Sequence, residues 1–211
     1  MKIISLVNLK GGSAKTTSTV YLAHAFTQLG QRVLVVDSDP QGSALSWAET
    51  ADFPFGVIGL PTRSLHKQVR GMDLDKYDIV LIDTPPLGEQ GGIVHSALRA
   101  SDLVIVTMAP TTMEYGHVDR VYEAMDEIAP VRQDGTPPPS RVLLNRTVAN
   151  ARSTLEMREA LEDEDRPVFT AAIPRREAIG QGFGSAPKDL SAYLEAAQEV
   201  LDTYMSKKEA L

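Results

Sequence analysis

The chain has 211 residues, no cysteine, a net charge of −7 and a pI near 5.1. The missing cysteine excludes thiol catalysis, cysteine-ligated zinc and iron–sulfur clusters, and fits a reducing cytoplasm. The acidic balance leaves DNA contact only to a local, salt-sensitive basic patch. No apolar run reaches the ~18 residues of a membrane span, and the N-terminus lacks a signal-peptide pattern.

In chain order, the apolar run Ile3-Ile4-Ser5-Leu6-Val7 reads as a strand, beginning so early that no room is expected ahead of it for a DNA-binding module. The stretch Lys10-Gly11-Gly12-Ser13-Ala14-Lys15-Thr16-Thr17 follows, and then the helical pattern Leu22, Phe26, Leu29. A glycine loop between strand and helix turns successive N–H groups toward one point, where the helix N-terminus adds its dipole. Polyphosphate fits there, with Lys15 on the β/γ-phosphates and the Thr16 hydroxyl on Mg²⁺. The pattern departs from G-x-x-x-x-G-K-[ST], because Leu9 and Ala14 stand where glycines are required. A glycine pair with the second lysine, Lys10, remains.

The next strand, Val33-Leu34-Val35-Val36, runs into Asp37-Ser38-Asp39-Pro40-Gln41-Gly42. Spacing of two puts both carboxylates on one side of an extended chain, at the strand ends where open α/β sheets bind ligands. Capping of the Asp-Pro-Gln-Gly turn is the alternative. Trp47 reads as packing rather than a base-stacking platform. The run Ile79-Val80-Leu81-Ile82-Asp83 ends in a carboxylate of Walker B form, where the acid holds Mg²⁺ directly or through water. Gly88, Gly91 and Gly92 read as a mobile loop suited to sensing a γ-phosphate, or as a plain surface turn.

Further apolar runs at 103–108, 142–144 and 168–173 complete a set of short, nearly continuous segments typical of strands buried on both faces. Helical patterns separate them. Val118, Val121, Tyr122, Met125 and Ile128 recur at helical spacing, Ser153-Thr154-Leu155-Glu156 has the form of a capping box, and Leu190 through Met205 make a long final amphipathic helix. The alternation predicts an α/β fold, a doubly wound and mostly parallel sheet flanked by helices, in one domain over 1–211. His24, His66, His95 and His117 show no ligand spacing and read as surface or helix-packing residues.

Together, Lys10 to Thr17, Val36 to Gly42 and Ile82-Asp83-Thr84-Pro85-Pro86 resemble the ParA/MinD family of deviant-Walker ATPases, most closely small ParA-type partition proteins. The segments Asp102–Pro110 and Val142–Arg146 are also similar, so the resemblance spans nearly the whole chain. It implies a P-loop NTPase-like fold, ATP/ADP and Mg²⁺ as cofactors, and weak, partner-stimulated hydrolysis. By that resemblance Gly11, Gly12, Ser13, Ala14 and Thr17 complete the phosphate loop around Lys15 and Thr16, and Lys10 reaches the partner's nucleotide across an ATP-sandwich homodimer. Asp39 orients the attacking water, and Asp37 and Asp83 hold Mg²⁺ from behind Thr16. Asn145 contacts the base, and the turn Ile173-Pro174-Arg175 closes over the adenine.

The family's partners are non-specific DNA and a ParB-type centromere-binding adaptor, in a nucleoid-associated, cytoplasmic setting. Arg152, Arg175, Arg176 and Lys188 stand apart from the acidic run 156–165 and are the expected DNA contacts, against the alternative of solvated mixed-charge helices. A MinD-like membrane switch fits less well: the tail Tyr204–Leu211 carries two lysines and little apolar face, and Glu195, Glu199 and Asp202 precede it. A protein compartment is a further cargo for the same architecture. A biosynthetic ligase lacks a substrate-pocket signature.

Overall fold

The computed structural model describes residues 1–205. Lys207 and Lys208 of the tail lie outside them. Six parallel strands form one sheet in the order β3-β2-β4-β1-β5-β6. They are β1 (Lys2–Val7), β2 (Val33–Asp37), β3 (Gly56–Gly59), β4 (Ile79–Asp83), β5 (Leu103–Met108) and β6 (Ser140–Leu144). The helices are α1 (Lys15–Gln28), α2 (Ser43–Thr50), α3 (Leu65–Gly71), α4 (Leu87–Ala100), α5 (Thr112–Ile128), α6 (Arg152–Glu162), α7 (Glu177–Gly180) and α8 (Ser191–Val200).

Parallel strands need helical crossovers, and crossovers on both faces bury both faces. The alternating side chains divide accordingly. Ile4, Leu6, Val33, Val35, Leu81 and Ile105 pack against α1, α2 and α8. Val7, Val104, Val106, Val142 and Leu144 face α4, α5 and α6, while Ile3, Leu34, Val36, Val80 and Ile82 face α3 and α4. Each fully buried aliphatic side chain contributes about 1.5–3 kcal/mol over its exposed state, so the central strands are the most strongly held part of the molecule.

The connections set the site. From β1 the chain crosses to β2 beyond β4, and from β4 it crosses back over β1 to β5. The winding reverses beside β1, and the crevice this opens lies at the strands' carboxyl ends, where the Lys10–Thr17 loop emerges.

Four segments differ from the sequence reading. The edge strand β3 has only two apolar residues between glycines and passes unseen as a strand. The run 168–173 is not a strand. It makes isolated bridges at Val142–Val168 and Thr147–Pro174, because the Phe169 and Thr170 carbonyls accept from Arg158 (2.7 and 3.3 Å) and the Thr170 N–H goes to Glu199 (2.9 Å). It therefore covers the β6 edge without extending the sheet. The capping box does not form. Asn150 takes φ 57° and Ala151 becomes the N-cap, so α6 starts at Arg152 with Ser153 already inside the helix. The final helix is α-helical only to Val200 and continues as a π-type turn over Leu201–Met205.

Candidate functional site

The loop after β1 owes its shape to two left-handed residues, Gly12 (φ 74°) and Ala14 (φ 65°). Ala14 is the N-cap of α1 and offers no side-chain cap, so the first N–H groups of α1 face the crevice without a protein oxygen from that residue. Holding alanine there costs about 1 kcal/mol relative to glycine. Lys15 is buried, its Nζ donating to the Lys10 carbonyl (3.0 Å) and reaching the Ser13 hydroxyl (3.5 Å). Burial pulls the Lys15 pKa down, against the opposing pull of Asp83, Asp39, Glu89 and Glu114. The Lys10 side chain is exposed at the mouth, while its N–H is tied to Asn8 Oδ1 (3.0 Å).

Strand register brings the carboxylates together. Asp37 and Asp83 are partners across β2 and β4, and both are buried. Asp37 accepts the Asp39 N–H (3.1 Å) and the Leu45 N–H (3.0 Å), which fixes the turn carrying Asp39. Desolvation pushes the Asp37 pKa up against those bonds. Desolvation raises Asp83 more strongly, with Asp37 adding to it, and hydrogen bonding to Thr16 and the charge of Lys15 pulling the other way. Asp83 Oδ1 also receives the Thr19 hydroxyl (3.4 Å), and Oδ2 is buried with no partner among the described residues. Asp39 is half-buried and accepts the Gln41 N–H (2.9 Å).

Two cavities open on this loop. One, of about 440 Å³, is walled by Gly11, Lys15, Thr16, Asp39, Pro86 and Glu89, among others. The second, of about 690 Å³, gathers Asn145, Ile173, Pro174, Arg175, Ile179 and Tyr193. Both include Gly12, Ala14 and Thr17 in their walls, so they adjoin across the loop and together make up a cleft. Gly11, Gly12, Ala14, Lys15, Thr16 and Thr17 of the loop and Asn145, Pro174 and Arg175 thus line these adjoining cavities, whereas Lys10 and Ser13 line neither and Asp37 and Asp83 are buried. Asn145 is buried, with its Oδ1 accepting from the Ser18 hydroxyl (3.4 Å).

Sequence reasoning missed three contributors. Gly88, Gly91 and Gly92 are not a loop. They lie in α4, which kinks at Gln90 (φ −130°, ψ 45°) and places Glu89 in the wall of the cavity that holds Lys15 and Thr16. A Cβ at Gly88 would come within 3.3 Å of the Leu9 carbonyl, so glycine here lets α4 approach the loop. Arg146, left-handed at φ 55°, donates to the Gly12 carbonyl and lies 3.6 Å from Glu114, whose other oxygen accepts the Ala109 N–H (2.8 Å). Asn8 ties β1 to the Thr107 carbonyl (2.5 Å).

Of the expected DNA contacts, Arg175 lines the cleft and Lys188 a neighbouring cavity with Arg176. Arg152 and Arg176, expected clear of acidic neighbours, are ion-paired with Glu156 (2.7 Å) and Asp189 respectively. Local helix geometry brings Glu156 to Arg152 one turn on, and the loop before α8 returns Asp189 to Arg176. Trp47 is buried, with Nε1 donating to the Ser185 carbonyl (2.9 Å), in keeping with a packing role. No helix among the described residues is long and apolar enough to cross a membrane, and none of their His, Asp or Glu side chains cluster as a metal-binding group of three.

A phosphate loop between the central parallel strand and its helix, with carboxylates at the ends of the neighbouring strands, is the P-loop NTPase arrangement. Residues 4–185 match the CobQ/CobB/MinD/ParA nucleotide binding domain, and the chain belongs to that family. It is 31% identical to the chromosome-partitioning ATPase Soj of Thermus thermophilus, over 94% of either chain. It is also 31% identical to the maintenance of carboxysome distribution protein A of Gloeobacter kilaueensis, over 82% of this chain and 76% of that one. The septum site-determining protein MinD of Pyrococcus horikoshii, complexed with Mg-ADP, superposes with a TM-score of 0.77 at 21% identity, over 99% of this chain and 98% of that one.

Proposed function

We propose that this chain is a Mg²⁺-dependent ATPase that forms ATP-sandwich homodimers, binds DNA non-specifically as the ATP dimer, and partitions DNA with a ParB-type adaptor. The observation that carries the reading is the pair of adjoining cavities on the loop, the smaller walled by Lys15 and the larger partly apolar, which suits a nucleotide's phosphates and base. ATP and ADP seat their phosphates on Gly11 to Thr17 with Lys15 beneath them, and the base between Asn145 and the Pro174-Arg175 turn. Arg146, bonded to Gly12, holds the loop open. Exposed Lys10 reaches a second copy's nucleotide.

The residues fit Mg²⁺: Thr16 lines the cavity on the loop, and Asp83, buried beneath it, has an oxygen without a partner among the described residues. Thr16 would hold the ion, with Asp83 and Asp37 behind it, and the ion would neutralise phosphate charge as the terminal P–O bond breaks. Asp39, fixed by the turn that Asp37 anchors, orients the attacking water. Phosphoryl transfer needs positioning and charge neutralisation above all, and these side chains supply both.

Arg175 and Lys188 have no ion pair among the described residues and so offer their charge to DNA phosphates, and Arg152 and Arg176 join them by exchanging their carboxylate partners for phosphates. The dimer doubles the patch. A protein compartment is the second reading of the cargo, favoured by the 31% identical carboxysome distribution relative. A cytoplasmic, nucleoid-associated switch without stable membrane association serves either cargo.

Fluorescence anisotropy with random-sequence duplex DNA, in Mg²⁺-ATP and in Mg²⁺-ADP at low and moderate salt, tests the proposal. ATP-dependent, salt-weakened binding is expected. No binding with either nucleotide sinks the partition reading and redirects the search to protein cargo.

A further inference from the structure

A separate cavity of about 190 Å³ lies where α3, the C-terminal end of α4 and the segment after α5 meet. Arg99 is nine residues beyond Gln90 of the cleft wall, so roughly 14 Å of helix separates this cavity from the nucleotide cleft. Its walls are His66, Arg70, Arg99, Val131, Arg132 and Gln133, with no carboxylate among them. In a chain of net charge −7 that is an uncommon concentration of cations.

The cations are not equivalent. Arg132 is fully engaged: Nη1 donates to the Leu98 and Ser101 carbonyls (3.0 and 2.9 Å), and its Nε and Nη2 to Asp134 (3.2 and 3.1 Å). It forms a fixed wall whose charge is matched. Neither Arg70 nor Arg99 has a carboxylate within ion-pair distance among the described residues.

His66 adds an imidazole to the wall. Its backbone N–H donates to the Ser96 hydroxyl oxygen (3.0 Å), and Nδ1 lies 2.8 Å from the same oxygen, which fixes the ring in place. Nε2 is buried and has no partner among the described residues. Desolvation, then the charges of Arg99, Lys67 and Arg70, hold the His66 pKa below its ordinary value and keep the ring neutral. Arg70 and Arg99 are accessible to solvent, and no carboxylate among the described residues balances their charge. An oxyanion between them supplies the counter-charge.

We propose that this cavity binds a phosphate group, with Arg70 and Arg99 as donors, the His66 ring as a side wall and the Arg132–Asp134 pair as its rigid back wall. Guanidinium groups suit this because their planar forks match two phosphate oxygens at once. The phosphate is either free or part of a nucleic-acid backbone. The proposal is independent of the ATPase reading, since none of these residues touches the nucleotide cleft.

The test follows the His66 imidazole ¹H–¹⁵N resonances of the full-length protein during titration with inorganic phosphate, and separately with random-sequence duplex DNA. Saturable movement with phosphate is expected, weakened about tenfold or more in Arg70→Ala/Arg99→Ala. Both substitutions are at solvent-accessible side chains, and nucleotide affinity should be unchanged. Movement with DNA as well as phosphate identifies a backbone contact, and movement with phosphate alone identifies a small-anion site. A ring that moves with neither, or moves equally in the double variant, overturns the proposal.

Discussion

Asp39 and Arg146 show how much a single side chain at the cleft is asked to do. Asp39 is half-buried, and its turn is anchored from below by Asp37 through two backbone N–H bonds. Asp39→Ala leaves that anchor and the phosphate loop intact, so ATP binding should persist while hydrolysis falls about 100-fold or more. Single-turnover hydrolysis beside a nucleotide-binding isotherm separates the two effects, and normal turnover would remove Asp39 from the water-positioning role. Arg146 instead supports the loop, through the Gly12 carbonyl and Glu114. Arg146→Ala should weaken ATP and ADP about tenfold by calorimetry. Arg146→Lys should recover only part, since the guanidinium Nη2 meets both the Gly12 carbonyl and Glu114, and a compact, strongly hydrated ammonium on a different stem does not take the same place. Equal affinity in all three proteins would show that the contact is dispensable.

Elements lean on one another most visibly where α1 meets β3. His24, on α1, is buried edge-on against Phe53 (5.0 Å) and Phe55 (4.9 Å), with Nε2 unpartnered among the described residues. Desolvation lowers its pKa from 6.5 to about 4. The unfolded chain therefore takes up a proton at higher pH than the folded one. Stability from this source is complete above about pH 6.5 and is lost as pH falls toward 4, by about 2–3 kcal/mol at pH 4.5. His24→Leu should erase that part of the acid sensitivity without loss at pH 7, which urea midpoints at pH 7 and 4.5 will report. An unchanged pH dependence would mean that the ring is hydrated. Trp47, the sole tryptophan, joins α2 to the 181–189 segment through Ser185 and a tilted contact with Phe183 (5.5 Å). Phe183 is 58% exposed, so Phe183→Ala should cost under about 1 kcal/mol and shift the Trp47 emission to the red. A shift of the melting midpoint larger than that cost allows would place Phe183 in the core.

At the scale of the whole molecule the proposed switch is a dimer, and two lysines separate binding from association. Lys15 is buried beneath the cleft, and Lys10 is exposed at its mouth. Lys15→Ala should abolish ATP binding and dimers together. Lys10→Ala should keep ATP affinity within a few-fold yet remain monomeric in Mg²⁺-ATP by sedimentation. Dimers of Lys10→Ala would show that this lysine does not cross between copies.

The sequence alone determined the parallel α/β class, because strands buried on both faces must be continuously apolar, and it marked the glycine–lysine loop between the first strand and helix, because its glycines and lysines are contiguous. The placing of Asp37 and Asp83 at strand ends was legible too, since each directly follows an apolar run, with Asp39 two residues beyond Asp37. The tertiary structure decided what depends on contacts remote in sequence. It turned Gly88, Gly91 and Gly92 into a helix packed on Leu9, held 168–173 out of the sheet through Arg158 and Glu199, and carried Arg146 back to Gly12. It also paired Arg176 with Asp189 and brought His66, Arg70, Arg99 and Arg132 around one cavity. Local pattern encodes local backbone preference and burial. Which charges meet, and which are left without a partner, follows from how the crossovers fold the chain back on itself, and no short window of sequence contains that.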